Sequence, residues 1–249
     1  MTAMLASVRS LAEAQVVAAC GADWIDLKEP TQGALGAVDA AVIREVAAAL
    51  GERFRISATI GDCWDTPSLI PARVADVAAA GAAYVKIGVY AAAPSGDLLA
   101  AIALACAVPA QVIVVCFAEA PPGAAALTRL AATGIAGVML DTAVKRGPSL
   151  RTLMSDAHLQ VFVDEARRLG LLTGLAGRLA ADDIAPLLAH RPDYLGFRSA
   201  LCDAAERNGH IDRQRVLEVR ARIGGGARPA GGEQGSPRGD HHGLARENI

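Results

Sequence analysis

The sequence predicts an α/β protein, a single (β/α)8 TIM barrel over residues 1–223 followed by a disordered Gly- and Pro-rich tail over 224–249. Three observations carry this. Short runs with strand patterning alternate eight times with helical patterning, and no composition break separates the pairs, the habit of a closed parallel sheet ringed by helices. The length, 249 residues, suits one such barrel. Hydrophobic residues make up 53% of the chain and aromatics only 4%, a composition for small side chains packing helices onto a sheet. An open, doubly wound sheet is the alternative that the same alternation allows.

Residues 4–9 are a short apolar run, and Ser10 stands where a cap is needed for a helix over 11–20. Residues 24–30 read as the second strand, and a helix over 39–50 follows with Asp39 as its cap and Gly51 as its stop. In 55–61, Ile56, Ala58 and Ile60 alternate with Ser57, Thr59 and Gly61, giving a strand with one polar face. A helix over 68–80, a strand over 84–89 and a helix over 96–107 come next. Residues 111–117 form a continuous apolar strand of the kind buried on both faces. A helix over 124–132 and a strand over 137–142 lead to the longest amphipathic helix, 155–169, capped by Ser155 and stopped by Gly170. Strand 171–176, helix 182–189, strand 194–199 and helix 212–223 complete the eight pairs. Beyond Gly224 the chain can bury almost nothing, and its His241-His242 pair has no spacing partner for a metal site.

A net charge of −2 without a basic stripe gives no reason to expect nucleic acid as a partner. No apolar stretch reaches about 18 residues, so no membrane span is expected. The N-terminus lacks the basic, apolar and small-residue succession of a secretory signal, and a cytoplasmic location is expected. Five widely spaced cysteines without a Cys-x-x-Cys pair suggest neither a disulfide framework nor structural zinc. No cluster of His and carboxylates falls at the strand ends, so no metal site is expected. Helices rich in Ala and Leu suit a homo-oligomer as well as a barrel.

The chemistry-bearing residues follow from strand alternation. In 24–28, Trp24, Asp26 and Lys28 share one face while Ile25 and Leu27 share the other. The strand over 84–89 puts Lys86 on the face of Tyr84 and Gly88. Barrel enzymes draw their catalytic groups from the C-terminal ends of strands. That filter keeps Asp26, Lys28, Lys86, Asp141, Lys145 in the following loop, and Arg198, with Ser57 and Thr59 as polar groups expected to bind substrate or its phosphate. Two lysines aimed into one barrel mouth suggest an amine nucleophile. Depressing an amine's pKa by about three units leaves roughly half of it neutral at pH 7, at a cost of about 4 kcal/mol, and a neighbouring cation and desolvation are forces able to do so. The plainer reading of Lys86 is a structural ion pair with an aspartate. For phosphate, Gly177 lets backbone approach closely, while Arg198 and Ser199 follow the eighth strand where barrels often hold such groups. An arginine at a strand end is equally well a simple surface charge.

Several motifs together resemble the (5-formylfuran-3-yl)methyl phosphate synthase family: Asp26-Leu27-Lys28-Glu29-Pro30, Ser57-Ala58-Thr59-Ile60-Gly61-Asp62, Tyr84-Val85-Lys86-Ile87-Gly88 and Met139-Leu140-Asp141-Thr142-Ala143-Val144-Lys145. The stretches Leu175-Ala176-Gly177, Gly196-Phe197-Arg198 and Gly209-His210-Ile211-Asp212 agree with it, and the likeness runs collinearly from about Met4 to Ile223. Ser199-Ala200-Leu201 departs from the Gly-containing sequence expected there, and 116–122 differs from the archaeal form. The resemblance implies condensation of two glyceraldehyde 3-phosphate molecules into a furan aldehyde phosphate, the furan precursor of methanofuran-type one-carbon carriers, with no organic cofactor or metal. It implies Lys28 as the Schiff-base lysine and Lys86 as the proton carrier, with Asp26, Asp141 and Lys145 assisting. Another Schiff-base aldolase of triose phosphates, or a barrel that binds a phosphometabolite without catalysis, are the competing readings.

Overall fold

Eight short segments, some alternating and some continuously apolar, become strands: β1 (Ala3–Val8), β2 (Trp24–Leu27), β3 (Arg55–Thr59), β4 (Tyr84–Val89), β5 (Gln111–Phe117), β6 (Gly137–Asp141), β7 (Leu172–Leu175) and β8 (Tyr194–Phe197). In the computed structural model, which describes residues 1–144 and 146–224, they pair in parallel in chain order and β8 returns to β1, closing the barrel. Lys145, the expected disordered tail over 225–249 and its His241-His242 pair lie outside the described residues.

Nine helices appear among the described residues: α1 (Leu11–Ala19), α2 (Ala40–Leu50), α3 (Ile70–Ala79), α4 (Gly96–Ala105), α5 (Ala124–Ala131), α6 (Leu150–Leu153), α7 (Asp156–Arg168), α8 (Ile184–Ala189) and α9 (Arg213–Ile223). Local chemistry starts many of them. The side chains of Ser10, Asp39, Ser95, Ser155 and Asp212 each accept a first-turn N–H, satisfying a donor with no partner inside the helix.

Several details differ from the sequence reading. The helix expected from residue 68 opens as a 3-10 turn, Pro67–Leu69, and becomes α-helical at Ile70; the one expected from 182 likewise opens as Ala181–Asp183. The four-residue α6 has no counterpart among the expected elements. Strand β2 stops at Leu27, although the Lys28 N–H still bonds the Val8 carbonyl at 3.0 Å and keeps Lys28 on the sheet's path. Strand β8 ends at Phe197, so Arg198 and Ser199 begin the loop.

Alternation splits the buried side chains into two populations. Outward-facing residues such as Ile25, Leu27, Val85, Ile87, Val112 and Val114 join the helices in the larger core. Inward-facing Leu5, Trp24, Ile113, Val115, Met139 and Tyr194 fill the barrel. Its N-terminal end is sealed by aromatics from the first residues of three strands, with Trp24 4.3 Å from Tyr84 and 5.0 Å from Tyr194 between ring centroids. Gly174 makes room for this seal, since a Cβ there would lie 2.3 Å from the Tyr194 ring. With that end closed, the polar inward residues can meet solvent at the other end alone.

Candidate active site

Inward alternation puts Ser7 of β1, Asp26 of β2 and Ser57 of β3 in one register layer, with Lys86 of β4 above them beside Thr59. The Lys86 amine lies 2.7 Å from Asp26 Oδ1, and both side chains are 2% exposed. Asp26 is nearly saturated: the Ser57 hydroxyl donates to Oδ1 at 2.6 Å and the Ser7 hydroxyl to Oδ2 at 2.9 Å. Burial alone would raise the Asp26 carboxyl, but Lys86, Lys28 and the hydrogen bonds from Lys86 and Ser57 outweigh it and hold it below the ordinary aspartate value. Burial also dominates at Lys86 and, with some help from Lys28, pulls the amine below the ordinary lysine value against the attraction of Asp26. The result is an ionised carboxylate bound to an amine that gives up its proton more readily than a lysine in water.

Lys28 stands one position beyond β2, 3.9 Å from Asp141 Oδ2 at the end of β6. The other Asp141 oxygen accepts the Thr142 N–H at 2.7 Å. Lys28 is 11% exposed, whereas Lys86 is sealed. Both lysines therefore act on Asp26, but Lys28 is the one that lines the cavity at the C-terminal end of the barrel, with Ser7, Asp26, Met139, Asp141 and Gly177. An amine open to the cavity beside a buried, proton-yielding amine can form an imine with a carbonyl compound and move protons next to it.

The structure thus brings Lys28, Lys86, Asp26 and Asp141 together; Lys145 lies outside the described residues. Ser57 serves Asp26. Thr59 donates to the Gly36 carbonyl at 2.8 Å, tying β3 to the loop after β2. Gly177 and Ser199 line the cavity. Gly177 has φ 106, and a Cβ there would lie 2.8 Å from Thr142 Cγ2 and 3.0 Å from the Thr142 nitrogen, so glycine is what lets the β7 loop cross the end of β6. Arg198 differs from expectation. It is 7% exposed, and its five hydrogen bonds go to the Arg207, Ser7 and Gly209 carbonyls and to both oxygens of Glu13. A guanidinium has five N–H donors, so this one has none left for a phosphate.

Three residues escaped the sequence reading. Ser7 was legible in principle, sharing a strand face with Leu5. Glu13 sits in the first turn of α1 and gives no sign of its partner 185 positions away. Arg207 belongs to an irregular loop with no period, yet it lines the cavity and donates to the Gly33 carbonyl at 3.0 Å. Of the cysteines, Cys116 has its thiol pushed up to about 12 by burial, a residue kept as a neutral packing group. Among the described residues no cluster of three or more His, Cys, Asp or Glu could hold a metal, and no helix is long and apolar enough to cross a membrane.

Comparison with known proteins gives the chain a family. A family model described as 4-HFC-P synthase matches residues 4–220. A protein of Methylorubrum extorquens, provisionally named (5-formylfuran-3-yl)methyl phosphate synthase, is 42% identical over 217 residues, 87% of this chain and 89% of its own. A (5-formylfuran-3-yl)methyl phosphate synthase of Methanothermobacter thermautotrophicus is 35% identical, covering 80% and 89%. Among solved structures, phosphoribosyl anthranilate isomerase of Thermotoga maritima has a TM-score of 0.65 at 13% identity, covering 90% of this chain and 98% of that one. A 3-hexulose-6-phosphate synthase has a TM-score of 0.62 at 20% identity, covering 88% and 99%. These two likenesses concern the fold alone.

Proposed function

The chain belongs to the 4-HFC-P synthase family, and from that premise we propose that it condenses two molecules of glyceraldehyde 3-phosphate, through an imine on Lys28, into (5-formylfuran-3-yl)methyl phosphate. The observation that carries the reading is the cavity-lining Lys28 amine beside the buried Lys86–Asp26 pair. The Lys28 nitrogen attacks the carbonyl of one triose phosphate, and water leaves as the C=N bond forms. The imine draws electrons from the adjacent carbon, so a proton there can pass to Lys86 or one of the carboxylates, leaving an enamine. The enamine carbon bonds to the carbonyl carbon of the second triose phosphate. Loss of one phosphate, dehydration and ring closure follow, and hydrolysis frees the lysine. Two triose phosphates balance one furan aldehyde phosphate, one phosphate and two waters, because the water lost in making the imine returns at hydrolysis.

In this reading Asp26 and Asp141 share the proton transfers with Lys86 and Lys145, Gly177 and Ser199 seat a phosphate, and Ser57 and Thr59 hold the layer that carries the charges. Arg198 acts at a distance, by fixing the loop after β8. The product would feed methanofuran-type carrier synthesis in the cytoplasm, and neither a metal nor an organic cofactor enters a step.

The test is intact-protein mass spectrometry after incubation with glyceraldehyde 3-phosphate and borohydride, beside a Lys28→Ala variant. Borohydride reduces an imine to a stable amine. A triose-sized increase that vanishes with Lys28 is expected, together with near-ultraviolet absorbance of a furan in the unreduced reaction. No adduct, under conditions that label a known Schiff-base aldolase, would overturn the mechanism; an adduct without furan absorbance would leave an aldolase that stops at addition.

A further inference from the structure

Condensing two phosphorylated trioses poses a charge problem that one phosphate seat cannot meet. At the floor of the inner cavity Lys28, with the Lys86–Asp26 pair buried beneath it, faces Asp141, and Lys28 is committed to the carbonyl. Of the cavity's arginines, Arg198 is spent on Glu13 and backbone carbonyls, while Arg178 and Arg207 stand at its outer wall. Beyond it, sharing Arg178, Leu179, Ser199 and Arg207 as common walls, lies a wider vestibule. Among the described residues, the charged groups lining that vestibule are Arg146, Arg178 and Arg207 against Glu206. Three guanidinium groups there make a surplus of positive charge with donor forks shaped for phosphate oxygens.

Arg207 is the one of the three with a buried donor left without a partner. One terminal nitrogen bonds the Gly33 carbonyl at 3.0 Å, while its Nε is shielded from solvent and meets no acceptor. A shielded donor without an acceptor is destabilising until something supplies one. Asp141 and Glu29 act on its charge from nearby, but burial outweighs them and weakens the group's hold on its proton. The residue is also held in place: its own carbonyl accepts the Arg198 Nε–H at 2.8 Å, and Arg198 is clamped by Glu13. Arg178 adopts φ 52, in the left-handed region that a non-glycine residue enters at a cost, and donates to the Gly147 carbonyl.

We propose that Arg207, with Arg178 and Arg146, anchors the phosphate of the second triose phosphate on the vestibule side, across the shared Ser199 wall from the seat of the first at Gly177. The inference rests on the condensation reading above and adds a substrate-selecting residue to it. It makes the second substrate's phosphate a requirement: a triose without one enters the cavity but is not retained for carbon–carbon bond formation.

The experiment uses the full chain with Arg207→Ala and Arg207→Lys variants, their folding checked by circular dichroism. For each, the glyceraldehyde 3-phosphate concentration giving half-maximal furan formation is compared with that giving half-maximal borohydride-trapped adduct on Lys28. For Arg207→Ala the first is expected to rise about ten- to a hundred-fold, the loss typical of a charge-assisted pair, while the second stays at the wild-type value. Arg207→Lys, which keeps the charge and loses the fork, is expected to fall between. Should the alanine variant not fold, the lysine variant decides by the same comparison. The proposal is overturned if both concentrations rise together, which would assign Arg207 to the first triose, or if neither moves. A wild-type chain that gives no adduct would instead sink the condensation reading itself, a distinct result.

Discussion

The Asp26 carboxylate spends its two oxygens on two hydroxyls and an ammonium, all buried. Such a pair contributes little net stability, since desolvation offsets its attraction, yet breaking it by removing one member strands a charge and costs about 3–5 kcal/mol. Lys86→Met should therefore cost stability of that order and, by removing the proton carrier of the proposed reaction, lower furan formation by at least about a hundred-fold. Adding Asp26→Asn to make the double variant should restore most of the stability, because no buried charge is left alone, and none of the activity. Thermal unfolding and furan absorbance measured on the same samples check both halves. If the double variant is as unstable as Lys86→Met, the cost came from lost packing of the lysine stem. Ser7 and Ser57 were within reach of the sequence because each alternates with apolar neighbours on its strand; what no residue announces by itself is that both hydroxyls face one carboxylate.

At the level of elements, the readable parts are those whose cause is local. Strands β4 and β5 occupy the bounds that alternation and a continuous apolar run assign, 84–89 and 111–117, and Ser10, Asp39 and Ser155 cap the helices they precede. The loop after β8 was not readable, because its shape comes from barrel closure. Closure brings β8 beside β1, and with it Arg198 beside Glu13 of α1, at 2.5 and 3.2 Å for its two terminal nitrogens. A local reading sees an arginine at a strand end and assigns it to phosphate; the fold uses it as a strap holding the cavity rim to the barrel wall. Glu13→Gln should loosen that strap. Losing one charge of this buried pair costs about 3 kcal/mol, and at about 2–4 °C per kcal/mol for a domain of this size the melting temperature should drop by roughly 6–12 °C. Calorimetry tests this, and an unchanged transition would mean that the carbonyl bonds of Arg198 hold the loop without Glu13.

Across the whole molecule, an aromatic seal at one end and a charged layer in the middle make the barrel a vessel with one mouth, and the charged layer ties its stability to pH. Asp26 has a folded-state pKa below the unfolded value of about 3.9. Its contribution is present above the unfolded pKa and disappears as pH falls through the folded one, where the unfolded chain already holds the extra proton. Lys86 is depressed as well. Between its folded pKa and the unfolded value of about 10.4, the unfolded chain again holds more protons, so raising the pH favours the fold. Both slopes have the same sign: the pair makes the barrel more stable as pH rises on the acid side and again on the alkaline side, with no loss from this source in between. Urea midpoints from pH 3 to pH 10 at fixed ionic strength, for wild type and the Lys86→Met, Asp26→Asn double variant, isolate the effect as a difference curve, because the remaining titrating groups are common to both. The curve should climb away from acid, level off and climb again toward alkaline pH. A flat curve would mean that the pair titrates alike in folded and unfolded chains, which a carboxylate and an amine each 2% exposed could do only if water reached them through the mouth of the barrel.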